Sequence, residues 1–526
     1  MVYHGVPSAG CFLCRKRKIK CDEAKPFCTR CQKSKRVCPG YPAPPDARSM
    51  PRLQDPKAYA TDTELSSSCV AQKIGGAGAR VQCWLVDAAN CRSQVSPLGA
   101  TLRQSTIDAA RCHFLSNFVL ISPSGTNRGL FEFTISLLKT EPCGEAYSMA
   151  FKACSLASLA YCQGLDTVLE QQALLYYDRA LKATYHALTN TNAAVSDGVL
   201  GAILLLAMFE LKSGSNEYAL GWGSHIVGSS TLMKNRGQEQ LATGVGTSIF
   251  VAVRAQLILL AMITGRVAPL GPDWFGEGTY RDKHAAVCLQ LTARTTELRE
   301  KLNNYLYYQE QSGIMNTSEL SQLSRDCRAA DFGFVLWSQA APEYFHYTMA
   351  TWINDEPDNL QNAEALPGSV HIYGSPWLAC LWNMVRCSRL ELAGLILRCA
   401  ALMGGPNDYR TLPEYEPLTR TCIGVVSKIV ASIPYQLGWF EKHNHLLVAR
   451  PQFACGENST KSELAAAIAI WPLARVQEYD SSTEAQRVWA QGRLEYIGAR
   501  RGIRAATLQA RVIHPTLGCV IVCSLN

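Results

Sequence analysis

Six cysteines crowd into residues 11–38: Cys11, Cys14, Cys21, Cys28, Cys31 and Cys38. Their spacing is C-x2-C-x6-C-x6-C-x2-C-x6-C. It is two copies of one unit, CFLCRKRKIKC and CTRCQKSKRVC, joined by Asp22 to Phe27. Thiolates at such spacing point to metal chemistry, because zinc takes four tetrahedral ligands and suits sulfur. Two zinc ions need eight ligand positions, and six thiolates supply them only if two sulfurs bridge both metals. So short a stretch has too few apolar residues to fold by burial. Metal binding, worth on the order of 10 kcal/mol per structural zinc, would have to supply the folding free energy, and chelation should unfold the segment. A disulfide framework would instead need an oxidising compartment and a leader. The first ten residues, MVYHGVPSAG, have no apolar run and no basic start. A redox CxxC does not explain two spaced copies.

The charge is concentrated on the same segment. Residues 1–41 hold ten Lys or Arg and two acids, a net of +8, which equals the net charge of the whole chain. The rest of the chain is therefore neutral overall. Two Zn2+ with six thiolates add −2 and leave the module cationic. A compact cationic module suits a phosphate backbone, with salt-dependent binding.

CFLCRKRKIKCDEAKPFCTRCQKSKRVCPGY closely resembles the DNA-binding domain of the fungal six-cysteine binuclear zinc cluster transcription factors. The likeness rests on all six cysteines, the basic run, the Cys21–Asp22 step and the loop proline Pro26. It implies two Zn2+ bridged by Cys11 and Cys28. One would be held by Cys11, Cys14, Cys21 and Cys28, the other by Cys28, Cys31, Cys38 and Cys11. It also implies a short helix from the first unit in the major groove of double-stranded DNA. There Lys18 would donate to guanine O6 and N7 of a CGG-type triplet. Arg15, Lys16, Arg17 and Lys20 would make phosphate or neighbouring contacts. RKRKIK at 15–20 also reads as a nuclear localisation patch.

At 526 residues the chain is too long for a single core. The boundaries expected are 8–41 for the zinc cluster and 42–104 for a linker rich in Pro, Gly and Ser. A large all-α regulatory domain of packed antiparallel helices would cover 105–512. Six prolines between Pro39 and Pro56 forbid a continuous helix there. Many family members carry a dimerising heptad coiled coil just after the cluster, and none appears here. That leaves a monomer, or a homodimer formed through the helical domain. The sixteen cysteines outside the cluster lie in apolar runs and suit buried thiols of a reducing compartment. No stretch reaches the ~18 consecutive apolar residues of a membrane span, so no membrane partner is expected.

Helical spacing recurs in 106–121, 145–162 and 170–188. Ser375-Pro376 should open a helix, Gly404-Gly405-Pro406 should close it, and the residues between should be centrally buried. ILLLAMFEL (203–211) followed by WGSHIVGSSTLMKNRG (222–237) resembles the regulatory domain of the same family. That places Trp222, His225 and Gly228 on a helix packed against the 199–211 helix, with His225 facing the contact in a structural role. NDEPDNLQNAEALPG (354–368) reads as an exposed acidic loop, and His443 and His445 as surface residues.

No G-x-S-x-G, H-E-x-x-H or P-loop sequence occurs, and nothing argues for an enzyme. The function expected is a zinc-dependent, sequence-specific regulator of RNA polymerase II transcription. It would act in the nucleus and engage the transcription machinery. The competing reading is a helical ligand-binding or scaffold protein that the cluster only localises to DNA.

Overall fold

Apolar residues at three- and four-residue spacing fold as capped helices in the computed structural model. It describes residues 14, 19–22, 28–34, 105–119, 131–139, 143–162, 166–190, 194–213, 218–266, 282–312, 315–405, 408–441, 443 and 463–511. The chain divides into two units, Met1–Val81 and Gln82–Asn526. In the first, the described helix is α1 (Thr29–Lys33).

The second unit begins with α2 (Thr106–Phe118), α3 (Phe133–Lys139), α4 (Glu145–Cys162) and α5 (Thr167–Leu188). Then follow α6 (Asp197–Ser213), α7 (Tyr218–Arg236) and α8 (Gly244–Thr264). It continues through α9 (Lys283–Ser312), α10 (Thr317–Gln339), β1 (Thr348–Ile353), β2 (Gly368–Ile372) and α11 (Pro376–Gly404). The last helices are α12 (Tyr415–Gln436), α13 (Glu463–Glu478), α14 (Glu484–Arg501) and α15 (Arg504–Arg511). The fold is thus a cysteine-rich segment followed by a mostly helical unit.

Caps fix the helix starts. Ser105, Asp166, Thr243, Asn316 and Ser375 each accept from a backbone N–H of the first turn. Thr483 and Gln486 form a reciprocal capping box on α14. Capped by Asp166, α5 starts at Thr167, three residues before the expected Glu170. The expected α11 is observed from its Ser375 cap and Pro376 to Gly405, whose φ of 66° ends it. Pro406 lies outside the described residues. Twenty-two of the 29 residues of α11 are buried, as its unbroken apolar run predicts.

Two large hydrophobic cores form among the described residues of this unit, beside a small cluster of Leu397, Ala401 and Tyr409. Phe114, Phe118, Tyr147, Phe151 and Phe209 centre the first, built from α2 to α8. Trp337, Trp382, Phe345, Phe440 and Trp489 belong to the second, built from α9 onward. α8 serves both, sending Phe250, Val253 and Leu257 into the first and Val251, Ile258 and Met262 into the second. α8 is the one described helix long and apolar enough to cross a membrane, and 67% of its most apolar window is buried inside the protein. Gly502 ends α14 at a φ of 64°, and a Cβ there would meet the Tyr161 Cβ at 2.1 Å. Glycine therefore lets the C-terminal helices close onto α4.

One antiparallel hairpin breaks the helical pattern. β1 pairs with β2 from Thr348↔Ile372 to Ile353↔Gly368, with a register shift between Met349 and Thr351. The acidic stretch expected as a free loop is the connection of this hairpin. Seven of its fifteen residues are exposed, Leu366 is buried, and its backbone is anchored. Trp489 Nε1 donates to Ala363 O at 2.9 Å and Arg493 Nη2 to Gln361 O at 3.2 Å. A Cβ on Gly492 would fall 1.8 Å from Gln361 O, so glycine alone admits this approach.

A buried polar cluster ties distant helices together. Lys212 Nζ donates to Glu463 Oε2 at 2.6 Å, with the lysine side chain wholly buried and the glutamate 7% exposed. Ser158 Oγ donates to the same oxygen at 3.2 Å, and His113 Nε2 lies 3.0 Å from Oε1. Lys212 Nζ also stands 4.7 Å from the centre of the Phe118 ring. Burial pushes the Glu463 carboxyl up, but Lys212 and His113 outweigh it and hold the group below the ordinary carboxylate value. The stability this contributes is complete above that ordinary value, about pH 4.3. It is lost as pH falls through the lower value of the folded state.

Lys212→Met should therefore cost about 3–5 kcal/mol in urea unfolding at neutral pH, because it strands a buried carboxylate. Lys212→Met combined with Glu463→Leu should recover most of that loss. A single variant as stable as the parent would show the pair to be solvated.

Candidate metal centre

Cys14, Cys28 and Cys31 are buried together, at 1%, 0% and 1% exposure. Ile19 is their partly buried apolar neighbour, too little to form a core. Cys14 Sγ lies 3.7 Å from Cys28 Sγ and 4.0 Å from Cys31 Sγ. A zinc–sulfur bond near 2.3 Å in a tetrahedron sets sulfur–sulfur edges of about 3.8 Å. The separations therefore fit thiolates around metal. Cys21, Asp22 and Cys28 form a second such group, and Cys28 is common to both. A shared sulfur is what two metals on six thiolates require.

Local structure sets these positions. α1 starts immediately after Cys28, and its Thr29 N–H donates to Asp22 Oδ2 at 3.0 Å. The carboxylate thus holds the first unit's last cysteine against the second unit's helix. This role in the Cys21–Asp22 step was not evident from the sequence. Cys31 N–H points at Cys28 Sγ from 3.3 Å, where it stabilises negative charge on sulfur. Ser34 Oγ donates to Cys31 O at 3.0 Å, and Ile19 N–H to Cys14 O at 3.1 Å.

Four of the six expected ligands are thus described and come together. Cys14 groups with Cys31 as well as with Cys28, where the family resemblance puts Cys14 and Cys31 on different metals. Cys11 and Cys38 lie outside the described residues, as do Arg15, Lys16, Arg17 and Lys18. Lys20 is exposed, and so are Arg30 and Lys33 on α1.

The second motif is a packing device. Trp222 is buried on α7 and donates through Nε1 to Gln256 Oε1 of α8 at 2.9 Å. Glu210, near the end of α6, accepts from the Tyr177 hydroxyl, and the Tyr177 ring stacks on Phe209 at 4.3 Å. His225 is half-buried. Burial lowers its pKa, and Glu210 partly opposes the shift. Arg236 at the end of α7 reaches Asp197 at the start of α6, 2.7 Å away. Gly228 lies on α7 as expected and is exposed, with nothing near its Cβ position. Six residues on a helix rotate by about 600°, so Gly228 sits about 120° around from Trp222. His443 stacks on Trp439 at 3.8 Å, with its Nδ1 3.0 Å from Trp439 O. His445 is outside the described residues.

Comparison with known proteins matches residues 9–48 to the fungal Zn(2)-Cys(6) binuclear cluster domain and residues 112–269 to the fungal specific transcription factor domain. The transcriptional regulatory protein moc3 of Schizosaccharomyces pombe is 64% identical over 33 residues, 6% of each chain. The transcription factor dbaG of Emericella nidulans is 22% identical over 272 residues, 51% of this chain and 60% of that one. The aspercryptin biosynthesis cluster-specific transcription regulator atnN of the same fungus is 22% identical over 373 residues, 65% and 57% of the two chains. The chain thus spans between 6% and 60% of the length of these relatives. No solved structure matches it.

Because Cys28 belongs to both groups of candidate ligands, Cys28→Ala should strip more zinc than Cys31→Ala. Metal per chain, measured by plasma mass spectrometry after desalting, should fall towards zero in the first variant. Retention of two zinc ions by Cys28→Ala would exclude a shared sulfur.

Proposed function

As a member of the fungal Zn(2)-Cys(6) transcription regulator family, this chain, we propose, is a zinc-dependent reader of specific DNA sequence. In this reading residues 8–41 are the DNA-binding module, 42–104 the linker and 105–512 the regulatory domain. Two Zn2+ hold the module, with Cys11 and Cys28 as the bridging thiolates and Cys14, Cys21, Cys31 and Cys38 as the terminal ones. Lys18 donates to guanine O6 and N7 of a CGG-like triplet, while Arg15, Lys16, Arg17 and Lys20 position the module on phosphates. The protein works in the nucleus on RNA polymerase II promoters and with the transcription machinery, and it catalyses no reaction.

The observation that carries this reading is the sharing of Cys28 between two groups of candidate metal ligands, Cys14, Cys28 and Cys31 at zinc-like separations and Cys21, Asp22 and Cys28, within the segment that holds the chain's excess positive charge. The test is a titration of the zinc-loaded full chain against duplexes with and without a CGG triplet, at two salt concentrations. Preference for the triplet should vanish on chelation. Lys18→Ala should cost about 1–3 kcal/mol on the triplet duplex and little on the scrambled one. Equal losses on both would remove the base-reading role and leave the cluster as an electrostatic anchor for a helical ligand-binding or scaffold protein.

Dimerisation falls to the helical domain in this reading. α5 exposes Leu174, Leu181 and Leu188, seven residues apart, with Tyr185 beside them at 68% exposure. A seven-residue apolar stripe is self-complementary between two copies of one helix. Leu181→Glu should convert a dimer to a monomer in sedimentation velocity. A variant that sediments like the parent would place the contact elsewhere or show the protein to be monomeric.

A further inference from the structure

The hairpin interrupts an otherwise helical unit, and a cleft of about 490 Å³ lies beside it. Its walls come from the paired ends of β1 and β2, their connection, α12 and the first turn of α14. Trp352, Leu366, Val370, Val430 and Pro434 supply much of its apolar lining. A volume of this order suits a small molecule.

The lining carries charge of one sign. Glu356 is the one charged residue among those that line the cleft. Its chain neighbours Asp355 and Asp358 are exposed as well. Lys428 follows Ser427 on α12, but of the two only Ser427 lines the cleft. The first turn of α14 contributes Thr483 and Gln486, which are already bonded to each other. Glu484 in that turn meets the positive end of the helix dipole. The lining therefore favours a cation over an anion.

Backbone geometry holds these groups in place. In β1, Met349 pairs with His371 and Trp352 with Ser369, so Ala350 is an extra residue between them. Unbroken pairing would set Trp352 opposite Gly368. The bulge moves it to Ser369 and reverses the side on which its ring emerges. The indole lines the cleft while remaining 60% exposed, and an open indole face attracts a cation. The connection that carries Glu356 is held as well. Asn362 N–H donates to Asn359 Oδ1 at 3.1 Å, and Gln361 Nε2 donates to Glu495 Oε2 at 3.2 Å. Trp489 and Arg493 fix the carbonyls of Ala363 and Gln361. A loop ordered in advance loses less freedom when a ligand arrives.

We propose that this cleft binds a small organic amine, its ammonium group paired with Glu356 and its apolar body laid between Trp352 and the α12 side chains Val430 and Pro434. The inference concerns the helical unit alone and stands whether or not the zinc cluster reads DNA.

The test is a calorimetric titration of the zinc-loaded full chain with tryptamine hydrochloride, tryptophol and sodium indole-3-propionate at matched ionic strength. The three probes share an indole body and differ in charge. Tryptamine should bind saturably and at least about 5-fold more tightly than tryptophol, with the carboxylate weakest. Glu356 is exposed, so Glu356→Gln should leave the fold intact and bring tryptamine to within about 2-fold of tryptophol. Trp352→Ala should weaken tryptamine at least about 5-fold. Absence of saturable tryptamine binding, alcohol or carboxylate binding as tight as the amine's, or unchanged tryptamine affinity in either variant would overturn the proposal.

Discussion

A lysine and a glutamate 251 positions apart meet where water does not reach, and the helical unit is arranged around that fact. Taking two opposite charges out of water succeeds only when geometry and additional hydrogen bonds are good. Here the contributors come from four helices. Lys212 ends α6, Glu463 opens α13, His113 lies on α2 and Ser158 on α4. Each helix must arrive in register for the cluster to be satisfied. α8 imposes a second constraint, because its two faces fill different cores. The stretch 112–269 that matches the transcription factor domain therefore supplies His113, Ser158 and Lys212 but not their carboxylate. Isolated, it would hold a buried cation without its counter-charge and half of the surface that covers α8. It is a segment of one folded unit and not an autonomous one.

The two units solve the folding problem by different physics. The helical unit has aromatic and aliphatic side chains enough to bury two cores. The cysteine segment has few such side chains, and among its described residues the buried ones are Cys14, Cys28 and Cys31. Its order is coupled to whatever those sulfurs hold, so its conformation follows metal availability. The same economy leaves Lys20, Arg30 and Lys33 on the surface, where an apolar core would have competed for space.

Legibility in the sequence followed the range of the interaction. The cysteine repeat and the Ser375-Pro376 start are local patterns, and each could be read directly. The hairpin was harder. TMATWI and GSVHI are short, and the acidic stretch between them drew attention to the loop and away from its flanks. Asp22 offered a hint in following Cys21, but its partner Thr29 is seven residues on. Lys212 closes an apolar helix and looks like any C-terminal lysine. Glu463 follows a stretch without helical periodicity. Nothing local in either announces the other. Arg386 occurs in a run, VRCSR, where Arg389 is equally placed by sequence. Only the fold shows that Arg389 faces Asp331 and Arg386 faces rings.

The thiols of the helical unit carry a further consequence. Cys154, Cys288, Cys387 and Cys422 are buried, and burial raises the pKa of each thiol. Cys112 is exposed. A thiol that is neither ionised nor accessible reacts only during an opening event. The chain therefore carries its own chemical clock. Alkylation of Cys112 counts encounters with reagent, while modification of Cys154 and Cys288 counts how often the first and second cores open. Whether those two counts rise together or apart would report how tightly Lys212, Glu463 and α8 couple the halves.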